Sequence, residues 1–175
     1  ISATTLDDYC YWDMFKNCTS LTTAPALPAT ALTTGCYWGM FENCSSLTTA
    51  PSILPATILN DNCYQYMFKD CTSLTTAPVI SATTLAAYCC YAMFQGCTSL
   101  TTAPVLSAST LAYRCYQIMF FGCSSLTGIT CLATGDTSGN FYVREDGYYR
   151  GYTRQWLDGV APSGIFTKHP YATVY

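Results

Sequence analysis

Charge is scarce in this chain. Of 175 residues only 10% are charged, with 7 Lys and Arg against 10 Asp and Glu and a formal net charge of −3. Nucleic-acid binding needs a basic stripe that displaces counterions, and so few cations do not make one. Histidine occurs once, at His169, which removes most zinc sites and most imidazole acid–base machinery. Long apolar runs are missing as well. The longest, Leu85 to Phe94, is far short of the roughly 18 residues of a membrane helix, so no membrane span is expected. Neither Met nor a basic segment opens the chain at Ile1, which reads as a mature product or a fragment. Low charge does not mean disorder here, because 50% of residues are hydrophobic and 15% aromatic. That composition supports one domain with a sizeable core.

Cysteine is abundant, and it is periodic. One column of Cys runs 10, 36, 63, 89, 115 and a second runs 18, 44, 71, 97, 123. The stretch Asn17-Cys-Thr-Ser-Leu-Thr-Thr-Ala-Pro25 recurs from Asn43, Asp70 and Gly96, and more weakly from Gly122. Five units of about 26 residues fill 1–131, and a segment of different composition, 132–175, follows. A period of this length marks one supersecondary unit stacked on its neighbours to share a core.

Within a unit, Thr4, Thr30, Thr57, Thr83 and Ser109 each stand two residues before a Leu, a helix N-cap pattern. Leu6, Cys10 and Met14 then recur at four-residue spacing, with Tyr11 and Phe15 beside them. This predicts a short helix of about three turns with a wide apolar face. Residues 17, 43, 70, 96 and 122 are Asn, Asn, Asp, Gly and Gly, types that tolerate the left-handed conformation ending a helix. The Cys-(Thr/Ser)-Ser-Leu-Thr-Thr-Ala-Pro stretch predicts a buried turn and a short strand, kept short by the Pro column at 25, 51, 78 and 104. The extra residue of the second unit predicts a bulge at Ser52–Ile53.

The Cys-x-x-Leu-x-x-Ala frame behind Met-Phe resembles the BspA-like leucine-rich repeats of bacterial surface proteins, common in gut Bacteroidales and their phages. The resemblance covers 1–131. Cys131-Leu-Ala-Thr134, Trp156–Val160 and Ser163–Lys168 are similar to the family's ending, whereas the Gly- and Tyr-rich segment 135–151 departs from it. The resemblance implies an α/β repeat fold: a right-handed solenoid with strands on one face and helices on the other. Parallel strands stack about 4.8 Å apart and helices about 8–10 Å apart, so such a stack is expected to curve. The segment 132–175 is expected to cap it, with Trp156, Leu157, Val160, Ile165 and Phe166 as apolar cover and Gly159 ending a short helix.

The cysteines admit three uses. A metal site is poorly served, because Cys-x7-Cys supplies two ligands per unit and no third. Cys10 and Cys18 would stand about 12 Å apart on a helix, too far to bond, although neighbours in the Cys18 column come within bonding range in a stack. The remaining use is as small buried apolar residues. Cys131 supports it as the counterpart of Ala26, Val79 and Val105, and Cys90 as the counterpart of Tyr11, Tyr37, Tyr64 and Tyr116. No metal and no cofactor are expected.

Catalysis has little footing. His169 stands alone beside Pro170. Asp7, Asp8 and Asp13 cluster in a single unit and read as a solvated edge. Gly135–Asn140 has the oxygens of a calcium loop but one carboxylate, and reads as a turn. The Thr pairs at 22–23, 48–49, 75–76 and 101–102 read as β-compatible surface, with ice binding as the outlying alternative. The column at 12, 38, 65, 91 and 117 is Trp, Trp, Gln, Tyr, Gln and lies off the apolar face. Trp12, Trp38 and Tyr91 are therefore candidate interface anchors. Tyr148, Tyr149, Arg150 and Arg154 add an interface-like Tyr/Arg mixture in the tail.

The expected function is a non-enzymatic, adhesin-like module on a secreted or surface protein, taking a protein or glycan partner. The alternatives are a phage tail or fibre component and an accessory domain of a surface enzyme. Ile1 falls mid-unit, so the N-terminal end is expected to be preceded by further repeats or covered by another chain, which makes it a point of self-association.

Overall fold

The computed structural model describes residues 1–134 and 155–168. Its strands are short: β1 (Ile53–Leu54), β2 (Val79–Ile80), β3 (Val105–Leu106), β4 (Gly128–Cys131) and β5 (Ile165–Lys168). β1 pairs parallel with β2, and β3 with β4 and then β5. Isolated parallel bridges Thr23–Thr49, Thr76–Thr102 and Ala31–Ile58–Thr84 continue the same stacking between units.

The expected helix is absent: the described residues contain none. Consecutive turns occupy 8–17, 34–43, 61–70, 87–96 and 113–122. The hydrogen bonds explain them. Every second amide closes a turn within its own unit, as in Trp12 N–H to Tyr9 C=O (3.2 Å), Met14 N–H to Tyr11 C=O (3.3 Å) and Lys16 N–H to Asp13 C=O (3.0 Å). The amides between them point along the stack: Tyr11 to Cys36 C=O (2.9 Å), Asp13 to Trp38 C=O (2.8 Å), Phe15 to Met40 C=O (2.9 Å) and Asn17 to Glu42 C=O (2.9 Å). The later units repeat the scheme. Backbone groups in a buried wall must be paired, and here half pair locally and half with the next unit, as in a sheet.

This geometry needs a left-handed residue every fourth position. Positive φ occurs at Tyr9, Asp13 and Asn17, at Gly35, Gly39 and Asn43, at Asn62, Tyr66 and Asp70, at Tyr88, Ala92 and Gly96, and at Arg114, Ile118 and Gly122. Each is the third residue of a turn, where the type II pattern demands it. The column 17, 43, 70, 96, 122 is left-handed as its residue types predict, but it ends a string of turns and not a helix. With the helix goes the reason for strong curvature. Adjacent Phe rings on the turn side lie 5.4–5.7 Å apart, close to the spacing of parallel strands opposite.

The core is built of columns. Phe41, Phe68, Phe94 and Phe120 are fully buried and stack with Phe15 in one file, interplanar angles 1–9°. Met40, Met67, Met93 and Met119 form a second file, and Leu47, Leu74 and Leu100 a third. On the strand side Leu54, Ile80, Leu106 and Cys131 are buried, whereas Val79 and Val105 are 60% and 49% exposed. The expected placement of Cys131 is therefore off by one residue. β4 registers Cys131 against Leu106, and Thr130 takes the outward position of Val105.

Residues 155–160 join the same stack instead of forming a helix. Trp156 and Asp158 carbonyls accept the Phe120 and Gly122 amides (3.1 and 2.8 Å), and Gly159 takes positive φ beside Gly122. Trp156, Leu157 and Val160 pack against the core. Ile165 does not; it is 75% exposed because it pairs with Gly128 at the start of β5.

Candidate functional site

The turn wall carries an outward aromatic ridge. Tyr9 tilts on Trp12 (5.7 Å), Trp12 stacks on Trp38 (5.4 Å, 26°), and Trp38 meets Tyr66 (6.5 Å). Tyr66 packs edge-on to Tyr91 (5.5 Å), Tyr91 to Tyr88 (5.8 Å), and Tyr88 edge-on to Tyr113 (5.4 Å). Seven rings thus cross all five units. Trp12, Tyr9 and Tyr113 are the most open, at 53, 44 and 41%, and the others are half-buried. Two cations border the line: Lys69 Nζ lies 5.3 Å from the Tyr66 ring, and the Arg114 guanidinium lies 5.1 Å from Tyr113 and 5.7 Å from Tyr88. Such contacts hold a cation over a ring face.

Of the expected anchors, Trp12, Trp38 and Tyr91 lie on this ridge. Gln65 and Gln117, from the same sequence column, do not: both are buried. Tyr66 takes the third unit's place, swung outward by its left-handed backbone. Tyr88 and Arg114 hold left-handed positions too, at the first turn of their units. Helical spacing hid these three. The visible signal was Gly35, Gly39 and Asn43 at four-residue intervals, marking the positions that leave helical space. Tyr148, Tyr149, Arg150 and Arg154 lie outside the described residues, as do Gly135–Asn140 and His169.

Beside the ridge runs a file of alternating charge. Lys16 and Lys69 both reach Glu42 at 2.9 Å, Lys16 also meets Asp13 at 3.3 Å, and Lys69 comes within 3.8 Å of Asp70. Burial pushes the Glu42 carboxyl up, but the Lys69 and Lys16 ammonium groups outweigh it and hold it below the usual carboxylate range. Hydrogen bonding to Glu42 raises both lysines. Asp8 does not form a paired-carboxylate site. Its Oδ1 accepts the Thr34 amide at 3.0 Å, as Asp61 Oδ1 accepts that of Ala87 at 2.9 Å.

The cysteines are twelve free thiols, ten of them buried. In the second column four of the five thiols donate to the Phe carbonyl of the preceding unit: Cys44 to Phe15 (3.0 Å), Cys71 to Phe41 (3.1 Å), Cys97 to Phe68 (3.0 Å) and Cys123 to Phe94 (3.0 Å). No group of three potential metal ligands occurs among the described residues. The threonine hydroxyls are similarly engaged, Thr48 with Thr22 C=O and Thr101 with Thr75 C=O (both 3.1 Å). A cavity of about 140 Å³ between β4, β5 and Leu157–Ala161 is lined mainly by apolar atoms. It is smaller than the roughly 300–1,000 Å³ of most ligand pockets. No helix among the described residues is long and apolar enough to cross a membrane. Comparison with protein-family models, curated proteins and solved structures finds no match to this chain.

Proposed function

We propose that this chain is a non-enzymatic interaction module: a leucine-rich-repeat-like solenoid of a secreted or surface protein that docks a protein partner on its turn wall. The observation that carries this is the ridge from Tyr9 to Tyr113, flanked by Lys69 and Arg114. Trp, Tyr and Arg dominate interface hot spots, and Trp and Tyr bury large area with few frozen torsions. The mutual packing of the rings favours a protein over a glycan. A sugar stacks on an open ring face. Here Trp12 and Trp38 cover one another's inner faces, and Arg114 covers Tyr88 and Tyr113. The phenols of Tyr88 and Tyr113 and the Arg114 guanidinium beside them are donors that suit backbone carbonyls and carboxylates of a polypeptide.

Peptide-display selection against the chain, run beside a panel of soluble polysaccharides, tests this. Peptides should be enriched and polysaccharides should not bind. Trp12→Ala and Tyr113→Ala, both at exposed positions, should each weaken the selected peptides by about tenfold or more. Binding indifferent to both substitutions, or binding of polysaccharides alone, would overturn the proposal.

A further inference from the structure

Three basic side chains are described, and two of them are engaged. Lys16 and Lys69 both close on Glu42 at 2.9 Å. Arg114 forms no ion pair among the described residues. Its neighbours are phenols. The guanidinium lies 5.1 Å from the Tyr113 ring and 5.7 Å from the Tyr88 ring, and those two rings meet edge-on at 5.4 Å. In a chain of formal net charge −3, this cation is left without a carboxylate.

The backbone fixes this arrangement. Arg114 follows Tyr9, Gly35, Asn62 and Tyr88 in a file of left-handed residues, with φ 53 at Arg114. The Tyr88 amide donates to the Tyr113 carbonyl at 2.9 Å, so the two rings and the guanidinium are held by the same ladder as the core. Asp61 stands one residue before Asn62 of that file, but its Oδ1 accepts the Ala87 amide at 2.9 Å, and the unit of Tyr88 separates it from Arg114. A cation–π contact uses the ring face and leaves the guanidinium its N–H donors. Those donors form a fixed fork that matches one carboxylate with two parallel bonds. A phosphate suits the site less well: it brings about −1.5 to −2 charges to a single cation, since Lys69 is held by Glu42.

We infer that Arg114, Tyr88 and Tyr113 form a receptor for one acidic side chain, so that the partner is a peptide with a single Asp or Glu as its anchor. The guanidinium takes the carboxylate in its fork, and the two phenols are the donors beside it. Packing on two rings pre-organises the fork, so less side-chain freedom is lost when it closes. The inference rests on the reading of the ridge as a peptide-binding surface and adds what that peptide must carry.

Display selection of random peptides on the unmodified chain, on Arg114→Gln and on Arg114→Lys tests it, with circular dichroism confirming that each variant is folded. On the unmodified chain Asp or Glu should be enriched at one position. The preference should vanish on Arg114→Gln and weaken on Arg114→Lys, which keeps the charge and loses the fork. In a synthetic copy of a selected peptide, replacing that acid by its amide should weaken binding to the unmodified chain by about tenfold or more and leave binding to Arg114→Gln nearly unchanged. Peptides enriched without an acidic preference, or with the same preference on Arg114→Gln, would overturn this inference and leave the ridge reading standing. Enrichment of no peptide would overturn both together, whether or not an anionic polysaccharide such as polygalacturonate binds.

Discussion

The Cys71 thiol donates to the Phe41 carbonyl, one unit back, at 3.1 Å. The same carbonyl accepts the Cys44 amide within its own unit at 3.1 Å. One acceptor thus closes a turn and ties two units together, and the motif recurs at Cys44, Cys97 and Cys123. It accounts for cysteine where another small apolar residue would fill the space. Cys71→Ala loses the tie and leaves a small void, and should cost about 1–3 kcal/mol in urea denaturation. Cys18 begins the column, is exposed and has no preceding carbonyl. Cys18→Ala should change stability by less than about 0.5 kcal/mol. Equal losses at the two positions would show that the tie contributes nothing.

Thiol chemistry should separate the first unit from the others. Cys10 and Cys18 are exposed and the remaining ten are buried. A thiol-specific colorimetric reagent should modify the two rapidly in the native state and the ten only on unfolding. Burial pushes Cys44 up to about 11 and Cys63 and Cys123 up to about 12, from an ordinary value of 9.0. Between pH 9 and these values the folded chain keeps protons that the unfolded chain releases. Stability must then fall as pH rises through that window, since it falls wherever the unfolded state binds fewer protons. The urea midpoint should drop between pH 8 and pH 11; a flat profile would contradict the burial.

The Phe file supplies a stability gradient along the stack. Phe68 is enclosed by Phe41 and Phe94 at 5.4 and 5.6 Å, so Phe68→Ala should cost about 3–5 kcal/mol. Phe15 has a ring neighbour on one side only and is half-buried, so Phe15→Ala should cost less than half as much. Comparable costs at the two positions would mean that the first unit is closed in solution.

Much of the architecture was legible in the sequence. The Cys and Phe columns gave the unit, its length and its buried files, because stacking equivalent residues is the way a short repeat builds a core. Trp12, Trp38 and Tyr91 were found as outward aromatics. The local conformation was not legible in the same way. Apolar residues at four-residue spacing, such as Leu32, Cys36 and Met40, fit a helix of 3.6 residues per turn and equally a string of turns in which every fourth residue is left-handed. Side-chain pattern alone does not separate the two. The glycines and asparagines that do separate them fill these positions completely only in the second unit, at Gly35, Gly39 and Asn43. Elsewhere Tyr9, Tyr66, Tyr88, Arg114 and Ile118 accept positive φ, and a helical wheel scatters them, which hid most of the ridge.

Gly39→Ala decides between the two backbones by the sign of its effect. In a helix interior, alanine is more stable than glycine by roughly 0.5–1 kcal/mol, because glycine loses more freedom on folding. Here Gly39 has φ +59, and an added Cβ would fall on Asp13 Oδ1 of the preceding unit. The left-handed conformation costs an L-residue about 1–2 kcal/mol, and moving the Asp13 carboxylate would disturb its ion pair with Lys16 at 3.3 Å. The substitution should therefore destabilise the chain by about 1–2 kcal/mol or more, read as a lowered urea midpoint at unchanged slope. Stabilisation instead, together with the double minimum of a helical circular dichroism spectrum, would restore the helix and remove the turn wall on which Tyr66 and Tyr88 are presented.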